Sequence, residues 1–135
     1  MCEDQREKTG TVRGRDLCER LEEYAVRIIK LVESLPNTLV GRRIGDQLLR
    51  SGTSVGANYE EAQAAESKVD FTHKLQVALK ELRESNYWLR LIARADIVPA
   101  ERLQGLLDES CQLRAILSKA VATAKGKARQ RISKE

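Results

Sequence analysis

The chain has few of the residues that interrupt helices or build β-sheets. Its 135 residues include two prolines and eight glycines, and aromatic residues make up 4% of the composition. A β-rich domain generally needs more turn-forming and aromatic residues, so this composition favours an all-α protein. No segment approaches the roughly 18 consecutive apolar residues of a membrane span, and the polar N-terminal segment MCEDQREKTG has no apolar signal core. We therefore expect no membrane partner.

Cysteine and histidine are also scarce. Cys2, Cys18 and Cys111 are an odd number at scattered positions, which predicts neither a disulfide framework nor a zinc site. Unpaired cysteines and the missing signal core together predict a cytoplasmic protein. His73 is the single histidine, whereas a di-iron bundle needs two Glu-x-x-His elements. No nucleophile–histidine arrangement has catalytic spacing, so we expect a non-enzymatic protein without metal or cofactor.

Positive charge is in excess only near the C-terminus. The formal net charge of +4 lies entirely in residues 125–135, KGKARQRISKE, and the preceding residues are formally neutral. The basic character of the whole chain therefore does not by itself identify the folded part as a nucleic-acid binder.

Helical periodicity divides the chain into four segments, with breaks at Pro36 and Pro99. Each segment repeats apolar residues at intervals of three and four, which predicts one buried face per helix. Short connections between four helices predict an antiparallel up-down-up-down four-helix bundle over residues 15–125. Residues 1–14 are predicted to be a flexible tail, and residues 126–135 a basic tail. The predicted buried faces are Leu17, Leu21, Tyr24, Ile28, Leu31 and Leu35; Val40, Ile44, Leu48, Val55 and Tyr59; Phe71, Leu75, Ala78, Leu82, Ser85, Leu89 and Ile92; and Leu103, Leu106, Leu107, Leu113, Leu117 and Val121.

The third helix carries a second row of side chains on its polar side. The row begins at Gln76 and continues at intervals of three and four through four cations and one tyrosine, without an acid. Such a row could bind phosphates while the tyrosine stacks on a base. In the alternative reading, the cations pair with Glu60, Glu61, Glu66, Asp108 or Glu109. We call this row the basic stripe: Lys80, Arg83, Tyr87, Arg90 and Arg94.

A third side of the same helix is apolar and groups Val77, Trp88 and Leu91. A helix in a monomeric bundle needs only one apolar face, and a second one is typical of an interface. Tryptophan is also enriched where interfaces are strongest. We therefore predict that these residues contact another subunit. The alternative is that Trp88 is buried in the core of its own bundle.

The second helix contains a cluster of small residues around Gly52 and Gly56. Glycine inside a helix costs about 0.5–1 kcal/mol relative to alanine, so the cluster needs a compensating contact. Close packing of a neighbouring helix provides one. A phosphate-binding glycine loop is the alternative, but no strand precedes the cluster and no Lys-Ser/Thr pair follows it.

The segment LRSGTSVGANYEEA at residues 49–62, followed by Asp70, Phe71 and the LKEL element at residues 79–82, resembles the "four helix bundle protein" family. That family is related to proteins encoded by intervening sequences within some bacterial 23S rRNA genes. The family motif reads approximately R-x-x-x-S-I-x-x-N-I-A-E-G, and the residues that match it here are Arg50, Ser54, Asn58 and Glu61. Val55 replaces the usual isoleucine, whereas Tyr59, Glu60 and Ala62 depart from the commoner residues.

The resemblance covers about residues 15–122 and implies a helical bundle assembled as a homopentamer. It implies no biochemical activity, because most members have none assigned. From the basic stripe and the second apolar side of the third helix, taken with this resemblance, we expect a homo-oligomer that binds RNA, DNA or a ribonucleoprotein partner. The alternative function is a structural scaffold that binds a protein partner and no nucleic acid. For Asn58, the residue type predicts either a helix or subunit contact through its amide, or a binding role.

Overall fold

The protein folds into four α-helices, and residues 12–134 contain no β-strand. The computed structural model describes the backbone of residues 12–134 and the side chains of residues 16–126. The helices are α1 (Val12–Glu33), α2 (Leu39–Gln63), α3 (Lys68–Arg94) and α4 (Ala100–Lys134). Successive helices pack against each other, and α1 also contacts α4, as in a bundle.

Helix boundaries follow the local sequence closely. Thr38 and Ser67 cap the N-termini of α2 and α3, and each side-chain oxygen accepts a hydrogen bond of 3.0 Å from the backbone N–H three residues ahead. After α3, Asp96 adopts a positive φ of 54°, and the N–H of Ile97 donates to the carbonyl of Ile92. Together with the bond from the N–H of Asp96 to the carbonyl of Ala93, this bond forms a Schellman motif, which ends α3 and directs the chain into α4.

The predicted tails differ from the structure in extent. Residues 12–14 belong to α1 and residues 126–134 continue α4, while residues 1–11 and 135 lie outside the described residues. The sequence of residues 126–134 contains one glycine and no proline, so no residue in it forces the helix to end.

The hydrophobic core contains most of the predicted apolar faces. Leu21, Tyr24, Leu48, Leu82 and Leu117 are among its fully buried members. Val40 is an exception, because 54% of its surface is exposed. It lies eight residues before Leu48, which turns it by about 80° away from the direction of that core residue.

Glycines bring α2 close to α1. A methyl group at Gly52 would lie 2.9 Å from two carbons of Ile28, and one at Gly56 would lie 3.4 Å from Leu21 Cβ. The Ile28 side chain is fully buried and branched at Cβ, so it has little freedom to move. The small-residue cluster therefore serves helix packing.

Three polar contacts lie within or at the edge of this core. Tyr24 Oη and Ser85 Oγ are 2.8 Å apart, and both side chains are buried. Burial raises the pKa of Tyr24 from 10.0 to about 12, an effect only partly opposed by the hydrogen bond with Ser85. Between α3 and α4, Asn86 Nδ2 donates to Ser110 Oγ at 2.6 Å and lies 3.8 Å from Cys111 Sγ.

Candidate nucleic-acid interface

All five side chains of the basic stripe are exposed in the structure. They occupy α3 between positions 80 and 94, a distance of roughly 21 Å along the helix axis. Gln76, at the start of the same row, is half-buried. The stripe therefore presents four cations and an aromatic ring on one outer side of the helix.

The acids proposed as alternative partners are engaged elsewhere or unpaired. Glu61 binds Lys74 at 3.3 Å, and Glu109 binds Arg20 at 2.6 Å. Asp108 accepts a hydrogen bond from Gln104 at 2.9 Å. Among the side chains of residues 16–126, no acid forms an ion pair with any cation of the stripe.

Tyr87 lies at the middle of the stripe, where its ring contacts two neighbours. The ring centroids of Tyr87 and Trp88 are 5.1 Å apart, with an angle of 73° between the ring planes. The guanidinium carbon of Arg90 lies 5.7 Å from the Tyr87 centroid, within the range of a cation–π interaction. Arg90 Nε in turn donates to Oδ1 of the buried Asn86 at 2.9 Å. The centre of the stripe is thus held in place by contacts that reach the core.

The family-motif residues lie on the side of α2 that faces α3. Arg50 Nη1 donates to Glu81 Oε2 at 3.0 Å, and Arg50 Nη2 also binds Glu84. Ser54 Oγ donates to the same oxygen of Glu81 at 3.1 Å, and Trp88 Nε1 donates to Glu84 Oε2 at 3.0 Å. We call these five residues the α2–α3 network. It joins the motif of the second helix to the LKEL element of the third.

The other two motif residues have different contacts. Asn58 Nδ2 donates to the carbonyl oxygen of Ser54 at 2.9 Å, so its amide bonds to its own helix. Glu61 forms its ion pair with Lys74 of α3. Three of the four motif residues therefore reach α3 directly, and Asn58 lies beside them on the same row of α2.

The predicted subunit interface is half-buried within the single chain. Val77 and Leu91 are half-buried, and neither belongs to the hydrophobic core cluster formed by the described side chains. Trp88 is also half-buried, but it packs against that cluster. The Trp88 ring therefore has both a core contact and a polar contact within its own chain, as the alternative reading anticipated in part.

Further apolar side chains are exposed on α1, α2, α3 and α4. The larger ones are Val26, Ile29, Leu39, Val40, Leu49, Val69 and Ile116.

An open groove lies between α1 and α4, and helical periodicity does not predict it. Asp16, Glu19, Glu23 and Glu109 line it together with Arg20 and Arg27. Glu109 raises the pKa of Arg20 through a side-chain hydrogen bond. Arg20 and Glu109 are 89 residues apart in the sequence, so their proximity depends on how α1 and α4 pack together.

The described residues contain no cluster of three or more His, Cys, Asp or Glu side chains that could hold a metal ion. His73 is exposed near the start of α3. Cys18 is buried, and Cys111 is an exposed free thiol. Over the same described residues, no helix has both the length and the apolar content needed to cross a membrane.

Comparison with known proteins gives a family and a related fold. The model of the family described as "23S rRNA-intervening sequence protein" matches residues 15–119. The fold is similar to the crystal structure of a protein of unknown function from the S23 ribosomal protein family of Bacteroides thetaiotaomicron, with a TM-score of 0.73 and 37% sequence identity. That match covers 78% of this chain and 97% of the other. No curated protein sequence matches this chain.

Proposed function

The chain belongs to the 23S rRNA-intervening sequence protein family, and from that premise we propose that it is a non-enzymatic, homo-oligomeric helical bundle that binds nucleic acid through the basic stripe. One observation carries the proposal: four cations follow one side of α3 for roughly 21 Å, and no described acid neutralises them. A polyanion provides the missing negative charge, and its binding is favoured by release of its counterions.

We propose an antiparallel up-down-up-down arrangement for the bundle. Its support comes from the order of contacts between neighbouring helices. Ile28 is close to Gly52, and Leu21, earlier in α1, is close to Gly56, later in α2. Arg50 likewise binds Glu84, whereas the later Glu61 binds the earlier Lys74. Contacts that run in opposite sequence directions are those of antiparallel neighbours.

Binding is tested with a fluorescently labelled RNA at several salt concentrations. If the four cations contact phosphates, log affinity should fall with log salt with a slope of about −3 per site. R83E combined with R94E should abolish binding at moderate salt. These two residues are suitable because neither has a hydrogen bond or ion pair within residues 16–126.

Two control variants carry the same change in charge. R102E with K119E alters exposed cations of α4 that lie outside the stripe. R129E with R131E alters the basic C-terminal segment. Both controls should keep most of the affinity. Equal losses in all three double variants would show attraction by overall charge alone and would contradict the assignment to the stripe.

We also propose that Val77, Trp88 and Leu91 contact a second subunit and that the assembly is a pentamer. The half-buried Val77 and Leu91, which lie outside the core cluster of the described side chains, support the contact. Light scattering should then give about 76 kDa, five times the 15.2 kDa of one chain. V77D with L91D should reduce that mass, whereas V69D, at a position 81% exposed, should not. A mass of 15.2 kDa for the unaltered protein would contradict the proposal.

A scaffold without nucleic-acid binding is the second candidate function. The exposed apolar side chains outside the stripe, such as Val26, Ile29 and Leu49, favour it, because apolar surface is typical of protein interfaces. Absence of RNA and DNA binding at low salt, together with an intact oligomer, would support this function over the first. The exposed free thiol of Cys111 fits a cytoplasmic location for either function.

A further inference from the structure

Tyr87 is the exposed aromatic side chain of the basic stripe, with 47% of its surface accessible. It lies seven residues after Lys80 and seven before Arg94, so cations lie about 10 Å away along the axis in both directions. The other two tyrosines, Tyr24 and Tyr59, are buried. The exposed part of the Tyr87 ring is in contact with water, so the ring contributes little to the buried core.

We propose that the basic stripe takes single-stranded nucleic acid, with one unpaired base stacked on the ring of Tyr87. This inference rests on the proposed function and specifies its ligand. Bases in a single strand have accessible π-faces, and aromatic side chains flanked by cations bind them with little dependence on sequence. The cations on either side of Tyr87 would bind the phosphates that precede and follow the stacked base.

A duplex fits the same surface less well. Its bases are stacked on each other, so a ring on the side of a helix reaches a base face only if that base leaves the stack. Extruding a base costs free energy that a single strand does not expend. A duplex would therefore use only the cations of the stripe, and Tyr87 would contribute nothing to its affinity.

Arg90 is placed to contact both a base stacked on Tyr87 and the phosphate beside that base. Its guanidinium carbon lies over the Tyr87 ring, 5.7 Å from the centroid, within the range of a cation–π interaction. Nε is held by Asn86 at 2.9 Å, while the terminal amino groups have no hydrogen-bond partner among the described side chains. Those groups can donate to a phosphate oxygen beside the stacked base.

Trp88 supplies a built-in reporter for the stacking. It is the only tryptophan in the chain, and its ring centroid lies 5.1 Å from that of Tyr87. A base on Tyr87 would therefore change the surroundings of Trp88 directly. Intrinsic tryptophan fluorescence should be quenched by a bound single strand, and more weakly by a duplex of equal length.

The experiment compares four labelled ligands of one length and sequence by fluorescence anisotropy: RNA single strand, DNA single strand, RNA duplex and DNA duplex. The full-length protein should bind at least one single strand more tightly than either duplex, by roughly 10-fold. Y87A should lose about that factor for the single strand and almost none for the duplexes. Y87F should retain wild-type affinity, because the ring remains.

The unfolding midpoint of each variant and its mass by light scattering check that Y87A leaves the fold and assembly unchanged. Y87F is a second control, because it keeps the ring and its contact with Trp88 and removes only the hydroxyl. Normal affinity in Y87F would therefore assign the loss in Y87A to the missing ring. Unchanged single-strand affinity in a folded Y87A protein would overturn the inference, as would equal affinity for single strands and duplexes. In both cases, loss of binding in R83E with R94E would still uphold the proposed function. Failure of all four ligands to bind at low salt would overturn the proposed function itself.

Discussion

The two polar sides of α3 differ in how their charges are satisfied. Towards α2, Glu81 and Glu84 bind Arg50, and Lys74 binds Glu61. On the outer side, the cations of the basic stripe have no acidic partner among the described side chains. One helix thus carries charges that hold the bundle together and charges that do not.

This difference separates two uses of charge in the same element. Ion pairs between packed helices fix their register, because each pair forms only at one relative position. A row of like charges spaced three and four residues apart repels itself slightly and weakens the helix. The outer row therefore contributes nothing to the fold that would explain its composition, whereas a bound polyanion would remove the repulsion.

The largest effect should come from the residue between the two sides. Leu82 is fully buried and lies between Glu81 of the network and Arg83 of the stripe. L82A should lower the free energy of unfolding by about 2–5 kcal/mol, through lost burial and the cavity left behind. Urea denaturation measures this change. A value near zero would mean that neither side of α3 depends on the core beneath it.

A second test concerns the buried hydroxyl of Tyr24, which bonds to Ser85 on the core side of α3. Its pKa is about 12 in the folded protein and 10.0 as an ordinary tyrosine. The unfolded chain therefore loses this proton first, and its stabilising contribution is complete below pH 10 and is lost as the pH rises towards 12. The loss should be on the order of 3 kcal/mol.

Urea denaturation across that alkaline range, on the wild type and Y24F, isolates this contribution. Y24F has no phenolic proton, so its stability should fall less steeply with pH. Parallel curves for the two proteins would show that other groups cause the alkaline loss. A steeper wild-type curve would show that the uncharged core side of α3, where Ser85 bonds to Tyr24, also contributes to stability.

The α2–α3 network should give a smaller effect. Arg50 is half exposed, so solvent screens its pairs and R50A should lower stability by about 1 kcal/mol. R50K should recover part of this, because lysine keeps the charge but not the planar fork that reaches Glu81 and Glu84 together. Thermal unfolding at low and high salt measures both variants. If R50A were as stable as the wild type at low salt, the charges on the two sides of α3 would not differ in their contribution to the stability of the fold.

The smallest effect on stability should come from the stripe. R83A should change the free energy of unfolding by less than about 0.5 kcal/mol, since the side chain is exposed and has no hydrogen-bond or ionic partner among the described residues. The same variant should weaken nucleic-acid binding measurably. A loss of stability as large as that of R50A would erase the distinction between the two sides.

Features set by local sequence could be predicted, because they depend on neighbours along the chain. The buried row of α3, from Leu75 to Ile92, matches its predicted members. The four-helix organisation followed from the same periodicity. Family resemblance identified the motif residues, although it did not identify what they contact.

Features set by packing between helices could not be predicted from one sequence. The position of Arg50 in the sequence does not predict that Glu81 and Glu84 lie opposite it, because the register between two helices depends on their whole interface. The same holds for the acids of the groove between α1 and α4. Trp88 shows the limit most clearly, since its row predicts an outward side while its ring also reaches the core cluster.

The glycines of α2 have a consequence for the order of folding. Gly45, Gly52 and Gly56 together lower the intrinsic helix propensity of that segment by about 3 kcal/mol relative to alanine. Alanine, leucine, arginine and lysine make up more than half of α4, which favours early local helix formation there. We expect α2 to become helical only as it docks between its neighbours. The segment that carries the family motif would then be the last to gain its structure during folding and the first to lose it during unfolding.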